Sequence, residues 1–209
     1  MRILMKFKKA FFGWGPLLAL TVMMGACVGN STPSTFYMLK PIEGASPEKA
    51  SDLKGIKSVS VLLGPISLPG YLDRNQMVTV PGNNEVALDE FNRWAESLQD
   101  GFYRVLQEDL STLLGTPAVY RYDRGNINAA DYHVIIDVTR FDAVSGGDAV
   151  LKAFWTLTGK NIDKAGVTRR FVFRTPVSGT GFPAIVDAQN ETISVFSREI
   201  AKAITSLES

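Results

Sequence analysis

Residues 131–175 decide the fold, because they contain three strand-like segments in close succession. Asp131–Phe141 reads DYHVIIDVTRF, Ala149–Thr158 reads AVLKAFWTLT, and Val167–Thr175 reads VTRRFVFRT. β-Branched and aromatic residues are frequent in all three segments, and Gly, Asn, Asp or Pro bound each of them. One face of the first segment is formed by Tyr132, Val134, Ile136 and Val138. The short connections contain glycine, so the three strands are predicted to form an antiparallel meander.

Two amphipathic helices are predicted around these strands. Asp89–Leu114 has apolar residues at spacings of three and four, with Asp89 as its predicted N-cap and Gly115 at its end. Pro183–Leu207 repeats the pattern, with proline in its first turn. Each helix has a single apolar face that needs a sheet to cover it. The expected fold is therefore a two-layer α+β domain, a mainly antiparallel or mixed sheet with two long helices on one face.

Shorter segments complete the predicted sheet. They are Phe36–Leu39, Lys57–Ile66, a hairpin of Gln76–Val80 with Glu85–Leu88, and Ala118–Tyr122. Asp109 falls on the apolar stripe of the first helix. We interpret Asp109 as a residue at a frayed helix end, with a buried partner for an arginine as the alternative.

The N-terminal segment has the order of an export signal. Four basic residues and no acidic residue precede a mainly apolar run that ends in Leu17–Cys27, LLALTVMMGAC. The end of this run resembles the lipobox of bacterial lipoproteins, whose cysteine is lipidated and becomes the acylated N-terminus. The predicted organisation is a signal peptide at 1–26, a lipidated tether at 27–34 and one domain at 35–209. An ordinary cleaved signal, or an uncleaved helix with a chance cysteine, is the alternative.

Lipidation of Cys27 would hold the protein at a membrane without a span, since two or more acyl chains anchor stably at about 0.8 kcal/mol per buried methylene. Val28 stands where bacterial lipoproteins retained in the inner membrane commonly carry Asp, so the resemblance favours the outer membrane. The chain has 22 Lys and Arg and 21 Asp and Glu. Four of the cations precede Cys27, which leaves 18 cations and a net charge of −3 in the mature chain. This balance argues against a nucleic-acid partner.

The sequence offers little catalytic chemistry. It has one histidine, His133, and one cysteine, Cys27, which the lipid would occupy. A Cys-His nucleophilic pair and a metal site of several imidazoles or thiolates are therefore excluded. His133 lies inside a predicted strand and is interpreted as a residue that faces solvent or a neighbour. We expect a non-enzymatic binding or structural protein, with no metal and no cofactor beyond the covalent lipid on Cys27.

Several segments together resemble the PqiC-like family of ABC-type transport auxiliary lipoproteins. They are Tyr37-Met38-Leu39, Pro65-Ile66, Pro69 to Val78 (PGYLDRNQMV), Trp94-Ala95-Glu96-Ser97-Leu98, the strand Val134 to Phe141, and the closing helix. The resemblance covers essentially the whole mature chain. It implies an outer-membrane lipoprotein that faces the periplasm and works beside an MCE-domain transport protein, which forms a passage for lipids between the two membranes. It also leaves room for a homo-oligomer around that passage.

The segment Tyr71-Leu72-Asp73-Arg74 is the predicted contact with this partner, because Tyr and Arg are frequent anchors at interfaces. The alternative is that Tyr71 and Leu72 enter the core while Asp73 and Arg74 pair locally and fix the turn. Five arginines give the sheet edge and its loops positive charge, interpreted as a solvated surface or, alternatively, as a contact for a lipid headgroup or acidic partner: Arg121, Arg124, Arg169, Arg170 and Arg174. The alternative function is a free-standing lipid-binding or envelope-integrity lipoprotein that works without a transporter.

Overall fold

An eight-stranded mixed sheet carries the fold in the computed structural model of the protein, which describes residues 32–42, 59–82, 84–122, 130–160, 162 and 166–208. Its strands are β1 (Thr35–Tyr37), β2 (Val61–Ser67), β3 (Gln76–Gly82), β4 (Glu85–Trp94), β5 (Val119–Arg121), β6 (Tyr132–Ala143), β7 (Asp148–Gly159) and β8 (Val167–Pro176). The helices are α1 (Leu98–Leu114) and α2 (Gly181–Glu208). In the described part of the chain, no helix is long and apolar enough to cross a membrane. Cys27 and the predicted signal peptide lie outside the described residues.

The predicted antiparallel meander is confirmed. β6 pairs antiparallel with β7, and β7 pairs antiparallel with β8. The other edge of β6 is shared by two strands: β2 runs parallel to its first half, and β3 meets its last residue, Ala143. β5 extends the sheet beyond β2, while β4 and β1 extend it beyond β3. β6 is therefore the strand that joins the two parts of the sheet.

The predicted two-layer α+β arrangement is also confirmed. The alternating side chains of β6, β7 and β8 that face the helices are buried, and they include Ile136, Trp155 and Phe171. Against them lies the apolar stripe of α2, in which Phe196 contacts both Trp155 and Phe171 through ring contacts. Helix α1 buries its own stripe on β2 and β5 and packs beside α2. Both helices thus cover one face of the sheet and share one hydrophobic core.

The predicted start of the first helix at Asp89 is wrong. β4 continues to Trp94, and α1 begins at Leu98 with Ser97 as its N-cap, whose hydroxyl accepts a hydrogen bond from the Asp100 N–H. The Asp89 carboxylate instead accepts hydrogen bonds from the N–H groups of Phe91 and Asn92. Phe91 is 47% exposed, so it does not belong to a buried helical stripe. The predicted end is confirmed, since Gly115 adopts the left-handed conformation at the C-cap with φ of 63°.

The segment that follows β1 lies across both helices and is fastened to them. The carbonyl oxygen of Leu39 accepts a hydrogen bond from Arg104 of α1, and the Lys40 N–H donates to Asn190 of α2. The Ile42 N–H donates to Asp109 Oδ1 at 2.8 Å. Residues 38–42, which we call the N-terminal strap, are therefore held at successive points.

The interpretation of Asp109 as a frayed-end residue is wrong. Its side chain is 1% exposed, and its two oxygens accept hydrogen bonds from the Ile42 N–H and the Ser197 hydroxyl. These hydrogen bonds join the N-terminal strap, α1 and α2 at one carboxyl group. Burial raises the pKa of Asp109 above its ordinary value, although the two hydrogen bonds and the nearby Arg198 oppose the shift.

Asp109→Asn should preserve this junction, because its amide oxygen can accept from Ile42 and its amide nitrogen can donate to Ser197. Since the pKa of Asp109 is raised on folding, ionisation costs stability as the pH rises through the interval between the unfolded and folded pKa values. The variant lacks that cost. Its urea-unfolding midpoint should match or exceed that of the wild type at pH 7, and its relative advantage should vanish below about pH 4.

Asp109→Ala is the matched comparison, because it leaves the buried Ile42 N–H without its acceptor. It should lower the free energy of unfolding by about 1–3 kcal/mol. An equal loss in the Asn and Ala variants, independent of pH, would contradict the role assigned to the carboxyl group.

Candidate functional site

The predicted contact loop forms a single tight turn between β2 and β3. Gly70–Leu72 is one turn of 3-10 helix, closed by hydrogen bonds from the Leu72 N–H to the Pro69 carbonyl oxygen at 2.9 Å and from the Asp73 N–H to the Gly70 carbonyl oxygen at 3.2 Å. Pro69 and Gly70 suit such a turn, since proline fixes φ and glycine imposes little steric restriction. The turn brings Tyr71 over the C-terminal end of β6.

Tyr71 joins a charged pair on β6. Its hydroxyl donates a hydrogen bond to Asp142 Oδ2 at 3.0 Å. Asp142 also accepts a bidentate pair of hydrogen bonds from Arg140, with Nε 2.9 Å from Oδ2 and Nη2 2.8 Å from Oδ1. The Asp142 side chain is 3% exposed, whereas that of Arg140 is 33% exposed. We call these three residues the Tyr71 cluster.

The electrostatics of the Tyr71 cluster favour a fixed arrangement. Burial and, after it, the charge of Asp142 raise the pKa of Tyr71 well above its ordinary value. The hydrogen bond with Asp142 likewise raises the pKa of Arg140, against the opposing effect of burial. The phenol therefore remains a donor and the guanidinium remains a cation at neutral pH. Together they compensate the buried carboxylate of Asp142.

The other loop residues divide between core and solvent. Leu72 is buried and belongs to the main core, while Asp73 and Arg74 are exposed. Arg74 Nε donates a hydrogen bond to the Tyr71 carbonyl oxygen at 2.9 Å. The loop thus combines both alternatives considered from the sequence: Leu72 anchors it, Tyr71 is half-buried, and Asp73 and Arg74 form an exposed charged tip. The docking role of these residues stays a prediction.

Helix α1 holds the end of β2 from which the loop departs. The Tyr103 hydroxyl accepts a hydrogen bond from the Ile66 N–H at 2.9 Å, and Gln99 Nε2 donates to the Ile66 carbonyl oxygen at 2.7 Å. Gly64 has φ of 103°, and a Cβ atom at this position would overlap the Tyr103 ring. Only glycine therefore allows Tyr103 to reach Ile66. This contact gives the loop a rigid base.

His133 and the predicted arginines are placed as follows. The His133 ring stacks on Tyr122 and hydrogen-bonds the Gly64 carbonyl oxygen, so its interpretation as a residue facing a neighbour is confirmed.

Arg121 lies over the Tyr103 ring and pairs with Asp100. Arg169, Arg170 and Arg174 all lie on the exposed surface of β8, and Arg124 lies outside the described residues. Within the described ranges, no group of three or more His, Cys, Asp or Glu side chains could hold a metal ion.

A cleft of about 300 Å³ lies between the N-terminal strap and α2. Lys40, Asp187, Glu191 and Arg198 contribute charged side chains to its lining. A lining of this kind suits water and ions better than acyl chains, which need an apolar cavity.

Arg140 and Asp142 are the site residues that sequence reasoning missed. They stand two positions apart on one strand, a spacing that places two side chains on the same face. That Arg-x-Asp pattern was the available signal. Asp142 contacts Tyr71, which lies 71 positions earlier in the chain. This contact depends on the path of β2 and β3, so it could not be predicted from the local sequence pattern.

Comparison with known proteins gives a family match. The family model for the ABC-type transport auxiliary lipoprotein component matches residues 37–201. The chain is similar in fold to the crystal structure of an uncharacterized protein, with TM-score 0.65, 18% identity, and coverage of 83% of this chain and 99% of that chain. It is also similar to a DUF330 protein from Xanthomonas campestris, with TM-score 0.60, 19% identity, and coverage of 80% and 93%. These two likenesses show the fold alone. Comparison with curated proteins gives no match.

Arg140→Met tests the Tyr71 cluster, because it leaves the Asp142 carboxylate buried without its cation. We expect the free energy of unfolding to fall by about 2–3 kcal/mol at pH 7. Chemical denaturation of the variant beside the wild type at pH 7 measures the effect.

The exposed substitution Asp73→Asn serves as the control and should change stability by less than about 0.5 kcal/mol. Tyr71→Phe, which removes only the hydroxyl, should cost about 1 kcal/mol. Equal unfolding midpoints for Arg140→Met and Asp73→Asn would show that the cluster does not stabilise the fold.

Proposed function

The chain belongs to the ABC-type transport auxiliary lipoprotein family, and from this we propose that it is the non-enzymatic auxiliary subunit of an MCE-type intermembrane lipid transport system. In this proposal the protein is acylated at Cys27, faces the periplasm from the outer membrane, and self-associates beside the transporter. The match over residues 37–201 is the observation that carries the proposal. Family membership by itself suggests the coarser role, that of an envelope lipoprotein that forms part of a transport system.

The geometry of the loop supports a docking role. A docking surface needs side chains that keep one arrangement before the partner arrives, because ordering them during binding costs affinity. The Tyr71 cluster fixes one side of the loop, and Leu72 fixes the other. Asp73 and Arg74 form an exposed charged tip on this base, with Arg74 hydrogen-bonded back to the Tyr71 carbonyl oxygen. We propose that this tip, with the exposed edge of Tyr71, contacts the MCE-domain protein.

The tether supports a position close to the membrane. The predicted tether at 27–34 has eight residues and spans at most about 28 Å when fully extended. The domain would therefore stay beside the bilayer surface, where it can meet the end of a passage that crosses the periplasm.

A pull-down from detergent-solubilised envelopes tests this proposal. The tagged full chain should recover an MCE-domain protein. Asp73→Ala/Arg74→Ala should reduce its recovery at least tenfold, because this variant removes the exposed tip without replacing Leu72 or Tyr71. Ser178→Ala/Thr180→Ala, in the exposed turn before α2, is the matched control and should recover the partner as the wild type does.

The remaining outcomes separate the parts of the proposal. Full recovery by the loop variant would remove the loop from the contact. Recovery of no MCE-domain protein with any form would reject the transporter assignment and favour the free-standing lipoprotein. Mass spectrometry of the wild type beside Cys27→Ser tests acylation directly, since the lipid mass should be lost in the variant.

A further inference from the structure

The first strand of the domain exposes large apolar side chains to solvent. Side chains along β1 and the start of the N-terminal strap alternate between two sides. On one side, Tyr37 contacts the Phe182 ring of α2 and Leu39 is 1% exposed. On the other side, Phe36 is 62% exposed and Met38 is 48% exposed. Phe36 is the most exposed large apolar side chain in the described part of the chain.

The neighbouring strand β4 adds a third exposed apolar side chain. β1 runs parallel to β4, with Phe36 opposite Arg93. Phe91 lies two positions before Arg93 and is 47% exposed. The nearby carboxylate of Glu90 is paired with Arg93, with 3.3 Å between Oε2 and Nη2. We call Phe36, Met38 and Phe91 the β1 patch.

The size of the β1 patch fits a lipid surface better than a protein interface. Large aromatic side chains bury about 150–250 Å² each, so three partly exposed side chains offer roughly 250–400 Å² in total. A stable protein–protein interface buries about 800 Å² on each partner. A chain that is already held at a bilayer by its lipid does not need such an area, because the anchor gives the patch a high effective concentration at the surface.

The β1 patch also begins close to the predicted lipid anchor. Phe36 follows Cys27 by nine residues, which span at most about 32 Å when fully extended. Between Cys27 and Ile42 the sequence has no acidic residue and one basic residue, the exposed Lys40. A carboxylate is costly to bring to the hydrocarbon region, whereas a lysine is attracted by anionic headgroups. The segment nearest to the anchor therefore combines apolar side chains with a cation.

We propose that the β1 patch inserts into the boundary between headgroups and acyl chains of the membrane that holds Cys27. Apolar side chains of surface-bound segments enter a bilayer to this depth. Glu85 and Asp89, which precede Phe91 on β4, would stay outside the bilayer and limit the contact to the β1 side of the sheet. The inference rests on the acylation included in the proposed function. It adds a second attachment, which fixes the orientation of the domain that a lipid alone leaves free.

Tryptophan fluorescence in vesicles tests the contact. The acylated chain is purified from envelopes and reconstituted into vesicles of phosphatidylethanolamine and phosphatidylglycerol. The tryptophans after Cys27 are Trp94 and Trp155, which are 6% and 1% exposed, so Phe36→Trp adds an exposed reporter. Lipids with brominated acyl chains should reduce the fluorescence added by this substitution about twofold or more. Met38→Trp should respond in the same way.

Phe154→Trp is the matched control. Phe154 is also aromatic and is 45% exposed, but it lies on β7, four strand spacings from β1 in the sheet, or about 19 Å. Brominated lipids should leave the fluorescence added by this substitution unchanged. Flotation with the vesicles shows that each variant is attached through its lipid, and circular dichroism shows that it is folded.

A second substitution in the reporter chain tests the apolar character of the contact. Met38→Asp combined with Phe36→Trp places a carboxylate beside the reporter and should remove at least half of the quenching by brominated lipids, because the carboxylate resists entry into the bilayer. Phe154→Asp combined with Phe36→Trp is the matched control and should leave the quenching unchanged.

Unquenched Phe36→Trp in chains that float, or equal quenching of Phe36→Trp and Phe154→Trp, would overturn the inference. Protection of the Phe36→Trp reporter from aqueous iodide without quenching by brominated lipids would overturn it as well, and would assign the β1 patch to a protein contact. Chains that carry no lipid and do not float would overturn the proposed anchor together with the contact. Quenching in a chain that recovers no MCE-domain protein supports the contact and rejects only the transporter role.

Discussion

The pairing of β6 on both of its edges is the constraint on which the rest of the structure depends. One edge is filled along its length by β7, while the other edge is divided between β2 and the end of β3. Two strands can share that edge only if the chain between them turns away from the sheet and returns. The Pro69–Gly70 turn performs this step, and it places Tyr71 beside Asp142 at the end of β6. The loop is therefore a product of the sheet topology, and its position is fixed by the same pairing that forms the core.

In the described part of the chain, two buried carboxyl groups each join separate segments of the fold. Asp142 connects the loop to β6, and Asp109 connects the N-terminal strap to both helices. The two carboxyl groups differ in the partners that offset the cost of burying them. Asp142 forms a bidentate ion pair with a guanidinium. Asp109 is held mainly by an N–H and a hydroxyl group, and burial raises the pKa of Asp109. The first junction thus depends on charge, and the second depends on hydrogen-bond geometry.

The sequence predicted the meander, the closing helix and the two-layer arrangement, because in these segments local pattern and tertiary environment agree. Alternation from Tyr132 to Val138 matches the buried face of β6, and Gly115 ends α1 as its position indicates. The start of α1 failed because Phe91 and Trp94 fit a helical spacing as well as a strand, and only the presence of β3 decides between them. The four loop residues were recognisable as a motif. Arg140 and Asp142, which hold Tyr71, were not, because Asp142 lies 71 positions after Tyr71 in the chain and only the fold brings the two together.

The N-terminal strap also determines how the domain would respond to a mechanical load. Tension that enters through Ser34 first reaches β1, which is held along β4, and then meets attachments to Arg104, Asn190 and Asp109 in turn. Arg104 and Asp109 belong to α1 and Asn190 belongs to α2, so together with β4 they spread the load over the sheet and both helices. A strand held only at a sheet edge would peel away one hydrogen bond at a time. This arrangement would let the domain resist a pull at its N-terminal end without losing its first strand.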